Sequence, residues 1–121
     1  SPLRRKRNRL IKRSCMNQNV CTPANNLNIY GSDCNANTAI FGSVGYTETY
    51  SISIKPPDVL VCCEGKGYDD QNQSQWYNLG RDVSSSGMFV KSVPWGNNAA
   101  VPAIHCITST PGTVVTFSFT C

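Results

Sequence analysis

The sequence has few of the residues that favour helices, and it has no long apolar run. Alanine, leucine, glutamate and lysine are sparse, whereas serine, threonine and asparagine are abundant. Because the sparse residues are strong helix formers, we expect little helix and many strands and turns. No stretch approaches the roughly 20 consecutive apolar residues of a membrane-spanning helix. No signal peptide is visible at Ser1, and we expect that a leader has been removed.

Histidine is nearly absent, which limits the metal and catalytic sites that the chain can form. The one histidine is His105. Zinc sites usually combine closely spaced cysteine pairs or several histidines with cysteines, and neither pattern is present. The Asp69-Asp70 pair lacks the spaced oxygen ligands of a calcium loop, and the serines lack the Gly-x-Ser-x-Gly turn of many hydrolases. We therefore predict no metal, no cofactor and no hydrolase of these types.

Cysteine, in contrast, is abundant, with seven residues in a chain of 121. Small chains that are dense in cysteine and poor in lysine are typical of oxidising compartments. We therefore predict disulfide bonds and a secreted, extracellular location. The predicted disulfide framework draws on every cysteine of the chain, namely Cys15, Cys21, Cys34, Cys62, Cys63, Cys106 and Cys121.

A buried strand over residues 59–63 is predicted to be the centre of the fold. Its sequence is Val-Leu-Val-Cys-Cys, and branched apolar side chains favour a pleated, buried strand. Neighbouring residues of a strand point to opposite faces. We therefore expect Cys62 and Cys63 to bond to different partners.

The remaining disulfide pairing is less constrained, because the spacing does not select one of the many possible connectivities. We expect Cys15 or Cys21 to bond to Cys121 and so to bring the two ends of the chain together. An odd number of cysteines leaves one thiol. We expect this thiol to be free and buried rather than to link two chains, so a monomer is favoured over a disulfide-linked dimer.

The rest of the chain alternates between short strands and turns, which predicts an all-β fold. Residues 46–55 and 113–121 alternate between apolar and polar positions, which is typical of half-buried strands. Shorter strands are expected at 27–30, 39–41, 76–79, 88–93 and 103–108. Residues 42–45 are expected to form the hairpin turn between 39–41 and the strand that follows. Together these features predict a disulfide-stapled antiparallel β-sandwich or small barrel.

Residues 64–75 are polar and contain two glycines, and we predict that they form a long exposed loop. This stretch contains the sequence Asn72-Gln73-Ser74, which matches the acceptor pattern for N-linked glycosylation. Asn72 is therefore a candidate glycosylation site.

The positive charge of the chain is confined to its first 13 residues. The net charge is +4, but residues 1–13 carry seven cationic residues and no acidic ones, so residues 14–121 carry a net charge of −3. Such a charge run is expected to be disordered. It ends at Lys12-Arg13, a dibasic sequence of the kind that secretory processing proteases cut. We therefore predict a propeptide over 1–13 and a disulfide-rich β domain over 14–121. Because that domain has few cations, we expect no stable nucleic-acid complex.

Three aromatic residues close to predicted loops are candidates for ligand binding. They are Trp76, Tyr77 and Trp95. If they were exposed together, with Tyr68 nearby, their rings could stack on sugars or anchor the chain to a protein surface.

This organisation resembles small secreted cysteine-rich proteins of fungi, including plant-pathogen effectors and killer toxins. The resemblance rests on Lys12-Arg13 before Ser14-Cys15, on the seven cysteines, and on a closing strand that ends at Cys121. It implies a β-sandwich without catalytic activity that binds a protein or glycan of a host or target cell.

A second resemblance is to small secreted fungal ribonucleases of the T1-like type. Those enzymes use a glutamate base, a histidine acid, an arginine and a tyrosine around the phosphate. Residues of these types occur here in a similar order: Glu48 or Glu64, Arg81, His105, and Tyr46 or Tyr68. Under this alternative, Glu64, Arg81 and His105 would be the catalytic residues, because acid–base cleavage of RNA requires a carboxylate, an imidazole and a cation.

Overall fold

The fold is known from a computed structural model, which describes residues 18–82 and 87–120. Within these residues the chain forms strands and turns and no helix, so no described segment is a helix able to cross a membrane. The strands are β1 (Asn19–Cys21), β2 (Cys34–Asn35), β3 (Ile40–Phe41), β4 (Thr47–Lys55), β5 (Val61–Tyr68), β6 (Ser74–Asp82), β7 (Met88–Pro94), β8 (Ala99–Ala100), β9 (Ala103–Thr108) and β10 (Val114–Phe119).

Two four-stranded antiparallel sheets form the body of the molecule. The first sheet has the strand order β1-β10-β4-β7, and the second has the order β2-β9-β5-β6. A small third sheet pairs β3 with β8. The sheets do not close into a barrel. The predicted all-β, antiparallel fold is therefore confirmed, in its sandwich form.

The core lies between the two large sheets, and the alternation of the sequence explains which side chains enter it. On β4, Tyr50, Ile52 and Ile54 are buried, while the serines between them are half-buried on the outer face. On β10, Phe117 is buried opposite Ile52, its register partner. The second sheet contributes Val61 and other buried residues of β5 and β9. A period of two thus gives β4, β5 and β10 one core face and one outer face each.

Strand β5 is longer than the sequence predicted. It continues to Tyr68, so the predicted exposed loop over 64–75 is reduced to residues 69–73. The inward positions of this extension are Gly65 and Gly67. A Cβ atom on Gly65 would lie 2.9 Å from a methyl carbon of Leu79 and 3.0 Å from the ring of Tyr50. The glycines therefore make room for large core side chains. Because glycine has no apolar side chain, this part of the strand does not show the alternation of apolar and polar residues that predicts a strand.

The structure pairs four of the predicted disulfide cysteines and leaves a fifth free. Cys63 bonds to Cys106 across β5 and β9, and Cys21 bonds to Cys34. Cys62 is a free, half-buried cysteine. The prediction that Cys62 forms a disulfide is therefore wrong, because the other cysteines that the structure describes are bonded to one another.

The pairing predicted for the chain ends is only partly tested. Cys21 does not bond to Cys121, because its sulfur bonds to Cys34. Cys15 and Cys121 lie outside the described residues, as do the predicted propeptide 1–13 and its processing site, Lys12-Arg13.

Two predicted local structures are wrong. The short strand β3 pairs with β8 and not with β4, because Gly42 packs against residues 95–98, and its N–H donates to the carbonyl of Asn98 at 3.0 Å. Residues 27–30 form a turn and not a strand. The side chain of Asn26 accepts a hydrogen bond from the N–H of Asn28 at 2.9 Å, which favours a turn there.

Candidate functional site

The first candidate site contains His105 between two carboxylates on the outer face of the second sheet. Glu64 of β5 and His105 of β9 are register partners, and Glu64 Oε1 lies 2.7 Å from His105 Nε2. Asp33 Oδ1 lies 3.3 Å from the other ring nitrogen, Nδ1. Both contacts are hydrogen bonds at the same time only when both ring nitrogens carry protons.

Two aromatic rings cover the faces of this imidazole. Tyr30 stacks on one face with ring centres 4.4 Å apart, and Trp76 stacks on His105 with ring centres 3.9 Å apart. The result is that His105 is only 8% exposed. The imidazole therefore has both nitrogens and both faces occupied by groups of the protein itself.

These contacts hold residues 22–33 over the second sheet. The segment is closed by the Cys21–Cys34 disulfide, and the N–H groups of Ala24 and Gly31 donate to the carbonyl of Cys106 at 3.0 and 3.3 Å. Tyr30 and Asp33 belong to the same segment, so the His105 cluster holds it with a ring stack and a polar contact. In this arrangement the cluster acts as a clamp.

The structure brings together two of the residues predicted for ribonuclease chemistry. Glu64 and His105 are in contact, as described above. Arg81 belongs to β6 and pairs with Cys62 in the strand register, and only its backbone is described. Glu48, the alternative base, lies on β4 of the other sheet and is fully buried.

The three aromatic residues predicted to bind a ligand do not share an exposed surface. Trp76 is 37% exposed, but it stacks on His105. Tyr77 is half-buried and packs against the core. Trp95 is 0% exposed, and its indole N–H donates to the carbonyl of Asn98 at 2.9 Å. The prediction that Trp95 is an exposed binding residue is therefore wrong.

The second candidate site is an open groove of about 430 Å³ at one end of the sandwich. Three loops form it: residues 42–46 before β4, residues 69–73 between β5 and β6, and residues 95–98 after β7. The groove is lined by three aromatic residues, two aspartates and two asparagines, together with smaller residues: Val44, Gly45, Tyr46, Thr47, Tyr68, Asp69, Asp70, Asn72, Pro94, Trp95, Gly96 and Asn97.

Hydrogen bonds join the three loops to one another. The N–H groups of Trp95 and Gly96 both donate to the carbonyl of Tyr46, at 3.0 and 2.9 Å. The side-chain amide of Asn98 donates to Oδ1 of Asn72 at 3.3 Å. Tyr68 meets the buried ring of Trp95 edge-on, with ring centres 5.2 Å apart. The three loops of the groove are therefore joined by hydrogen bonds and ring contacts. This favours a groove that already has its shape before a ligand binds.

The two aspartates of the groove have different roles. Oδ1 of Asp69 accepts hydrogen bonds from the N–H groups of Gln71 and Gln73, both at 2.9 Å, and Oδ2 accepts one from the side chain of Gln75 at 3.0 Å. The bond from the Gln73 backbone, with the other two, holds the pKa of Asp69 below its usual value. The carboxylate of Asp70 is exposed and makes no hydrogen bond to the residues that the structure describes. Asp69 thus shapes the turn, and Asp70 can contact a ligand.

A buried carboxyl group lies behind the groove. Glu48 is 0% exposed, and its Oε1 accepts hydrogen bonds from the hydroxyls of Tyr46 at 2.8 Å and Thr120 at 3.2 Å. None of the described residues forms a hydrogen bond with its Oε2. Burial raises the pKa of Glu48 to about 7, although the two hydroxyls act in the opposite direction. Glu48 therefore links Tyr46 of the groove to the end of β10.

Sequence reasoning named Glu48 only as a possible ribonuclease base and missed both its burial and the groove, although one signal of the burial was present. Glu48 lies on the same face of β4 as the apolar residues Tyr50, Ile52 and Ile54. An acidic residue at a core position of an alternating strand is costly to bury and indicates a local function. No comparable signal indicates the groove, because its three loops are distant in sequence.

Asn72, the predicted glycosylation site, is exposed at the rim of the groove. Its φ angle of 59° lies in the left-handed region, which asparagine tolerates better than most residues. A glycan on Asn72 would project from the mouth of the groove. Its presence stays a prediction.

Comparisons with known proteins do not identify a function for either candidate site. No protein-family model matches the sequence, and a search of the curated proteins finds no match.

Proposed function

We propose that this protein is a secreted, effector- or toxin-like protein that acts by binding a glycan of a host or target cell in the loop-end groove. The observation that carries the proposal is the composition of that groove. Tyr46 and Tyr68 provide aromatic surface for the apolar face of a sugar ring. Asp70, Asn72 and Asn97 provide acceptors and donors for sugar hydroxyls.

Secretion is supported by the disulfides. Two are present among the described residues, Cys21–Cys34 and Cys63–Cys106. Disulfides persist in oxidising compartments and are rare in the cytosol of most cells. A small β-sandwich that carries two of them suits an extracellular role, and a glycan of a cell surface or cell wall is a ligand available there.

The test measures binding of soluble cell-wall oligosaccharides to the full chain by titration calorimetry. The probes are chitohexaose, laminarihexaose, cellohexaose and mannohexaose. Asp70→Asn removes one exposed carboxylate of the groove without a change in shape. Because a hydrogen bond to a charged group contributes about 1.5–3 kcal/mol, we expect this variant to bind the preferred probe at least about tenfold more weakly.

Two further variants make the result specific to the groove. Asp58→Asn is the matched control, since Asp58 is an exposed aspartate outside the groove with a φ angle of 71° that asparagine accepts. Trp76→Ala removes an exposed aromatic ring outside the groove. We expect both variants to bind like the parent chain. Loss of binding in Trp76→Ala alone would move the site to the second sheet, and no binding of any probe would favour a protein partner.

A ribonuclease of the T1-like type is the second candidate, and the Glu64–His105 contact at 2.7 Å is the observation that favours it. A glutamate and a histidine in contact could form an acid–base pair. However, a catalytic imidazole must reach the reacting oxygen, and this ring is covered by Tyr30 and Trp76. The binding function is therefore the stronger proposal.

An assay with a fluorogenic RNA substrate distinguishes the two candidates. If the protein acts by binding, the parent chain and His105→Asn will show the same background signal. Turnover by the parent chain that is lost in both His105→Asn and Glu64→Gln would instead establish the ribonuclease.

A further inference from the structure

The strand topology points the start of the described chain toward the end of the sandwich that holds the groove. Strand β1 runs antiparallel to β10, with Asn19 opposite Phe117 and Cys21 opposite Val115. The chain before β1 therefore leaves the sheet toward the end of β10. That end of β10 lies beside the start of β4, since the N–H of Thr120 donates to the carbonyl of Thr49 at 3.2 Å. The start of β4 contributes Thr47 to the groove.

The segment before β1 and the groove carry opposite charges. Residues 1–13 hold seven cationic residues and no acidic ones. Among the residues that the structure describes, the charged ones that line the groove are Asp69 and Asp70, and none of them is a lysine or an arginine. Hydrogen bonds, first of all that from the backbone of Gln73, lower the pKa of Asp69 and so favour its ionised form. A basic segment near this end of the molecule is therefore attracted to the groove.

The connecting chain is long enough for this contact. Four residues separate Arg13 from Gln18, and five peptide steps reach at most about 17 Å. Strands β1 and β4 are separated by β10 alone, a lateral distance of about 10 Å. The register places Asn19 level with Ile52, so Thr47 at the groove lies a further five residues, about 17 Å, along β4. Twelve peptide steps from Lys6 to Gln18 reach at most about 40 Å and nine from Arg9 about 30 Å, so these cationic residues can reach Asp70.

We propose that the basic segment Arg4–Arg13 binds across the acidic groove of its own chain and occupies it until the segment is cleaved off. The contact itself depends only on charge and topology. Its consequence, that the uncleaved chain binds its ligand more weakly, rests on the proposed glycan-binding function.

Zero-length cross-linking of the full chain tests the contact without any ligand. A carbodiimide joins a lysine amine to a carboxylate only when the two groups are in contact, and peptide mass spectrometry identifies the pair. We expect cross-links from Lys6 or Lys12 to Asp70. Asp58 is the internal control, because the strand register places it near the opposite end of β4, after Lys55.

A charge variant separates attraction from simple proximity. Replacement of Arg4, Arg5, Arg7 and Arg9 by Gln keeps both reactive lysines but removes most of the charge. We expect the yield of the Asp70 cross-link to be at least about fivefold lower in this variant than in the parent chain. We expect a similar decrease when the parent chain is cross-linked in about 0.5 M salt, because salt screens the attraction. Mixing of isotope-labelled and unlabelled chains shows whether the cross-linked peptides come from one chain.

The outcomes are decisive in both directions. A cross-link to Asp70 within one chain that depends on the arginines supports the proposal. Equal yields to Asp70 and Asp58, cross-links between chains only, or an unchanged yield in the glutamine variant would overturn it. Because no saccharide is present, failure here leaves the proposed glycan-binding function untouched, and failure of the oligosaccharide titrations leaves this contact untouched.

Discussion

Glu48 occupies a position on β4 where the alternation of the strand requires a core side chain. In the part of the chain that the structure describes, its carboxyl group has two hydroxyl donors for Oε1 and no hydrogen-bond partner for Oε2. A buried carboxylate with incomplete hydrogen bonding is unfavourable, so the neutral form is preferred. This preference is the physical reason that its pKa is raised to about 7.

The raised pKa of Glu48 predicts that stability decreases as the pH rises. The folded chain binds this proton more tightly than the unfolded chain, whose glutamate has an ordinary pKa of 4.5. The stabilisation is therefore complete below pH 4.5 and is lost as the pH rises through about 7. Its size is on the order of 3 kcal/mol. We expect Glu48→Gln, which cannot ionise, to be more stable than the parent chain at pH 8 by roughly 1–3 kcal/mol.

Urea unfolding at pH 4 and pH 8 measures this effect for Glu48→Gln and the parent chain. At pH 4 the two should agree within about 1 kcal/mol, because Glu48 is then protonated in both states. Asp70→Asn, a change at an exposed acid, serves as the control and should follow the parent chain. An equal difference between Glu48→Gln and the parent chain at both pH values would contradict the assignment.

At the scale of the element, β5 shows why part of the fold could not be predicted from the sequence. The start of this strand was predicted from its branched apolar residues. The continuation was missed because its inward residues are Gly65 and Gly67, which carry no hydrophobic signal. Their role depends on what faces them across the core, including Leu79 and Tyr50, and that information belongs to the packing of two sheets.

This packing predicts that Gly67→Ala is destabilising. A Cβ atom at residue 67 would lie 2.6 Å from the backbone carbonyl oxygen of Pro94 on β7, which cannot rotate away as a side chain can. We expect a loss of about 1–3 kcal/mol in the free energy of unfolding, measured by urea denaturation. Lys66→Ala, at the neighbouring outward position, should change it by no more than about 0.5 kcal/mol. Equal effects of the two substitutions would mean that the sheets adjust at no cost.

The attachment of segment 22–33 to the second sheet predicts how fast the thiol of Cys62 reacts. This thiol is half-buried on β5 and lies close enough to Tyr30 to influence the pKa of the phenol. Because Tyr30 stacks on His105, Tyr30→Ala should loosen the segment and expose Cys62. We expect iodoacetamide to label Cys62 slowly in the parent chain and at least about tenfold faster in Tyr30→Ala, as slow labelling reflects limited access.

Peptide mass spectrometry of the unreduced protein assigns the label to a residue. The cysteines of the two described disulfides, Cys21, Cys34, Cys63 and Cys106, should remain unlabelled in both proteins. Val44→Ala is a suitable control, because Val44 is exposed in a loop before β4, away from this segment. Cys62 found in a disulfide, or labelled at the same rate in both proteins, would contradict the clamp.

At the scale of the whole molecule, fold class and site differ in how far the sequence determines them. The all-β, antiparallel architecture follows from local alternation and turn residues, as on β4 and β10. The groove depends on the convergence of three loops that are far apart in sequence, so no local pattern reveals it. Of the aromatic residues chosen from their position near loops, Trp95 was wrongly expected to be exposed, since it supports the groove from beneath while Tyr68 lines it beside the aspartates.

The distribution of charge over the molecule predicts what cleavage after Arg13 does. Removal of residues 1–13 takes away seven positive charges and changes the net charge from +4 to −3. If the basic segment occupies the groove, the cleaved protein should bind the preferred oligosaccharide several-fold to about tenfold more tightly than the uncleaved chain, because the ligand no longer competes with an attached cation. Arg13→Gln should resist the processing protease and keep the lower affinity. Isoelectric focusing follows the cleavage, and calorimetry before and after cleavage measures the affinity for the oligosaccharide. Equal affinity of the cleaved and uncleaved protein would show that the segment does not compete for the groove.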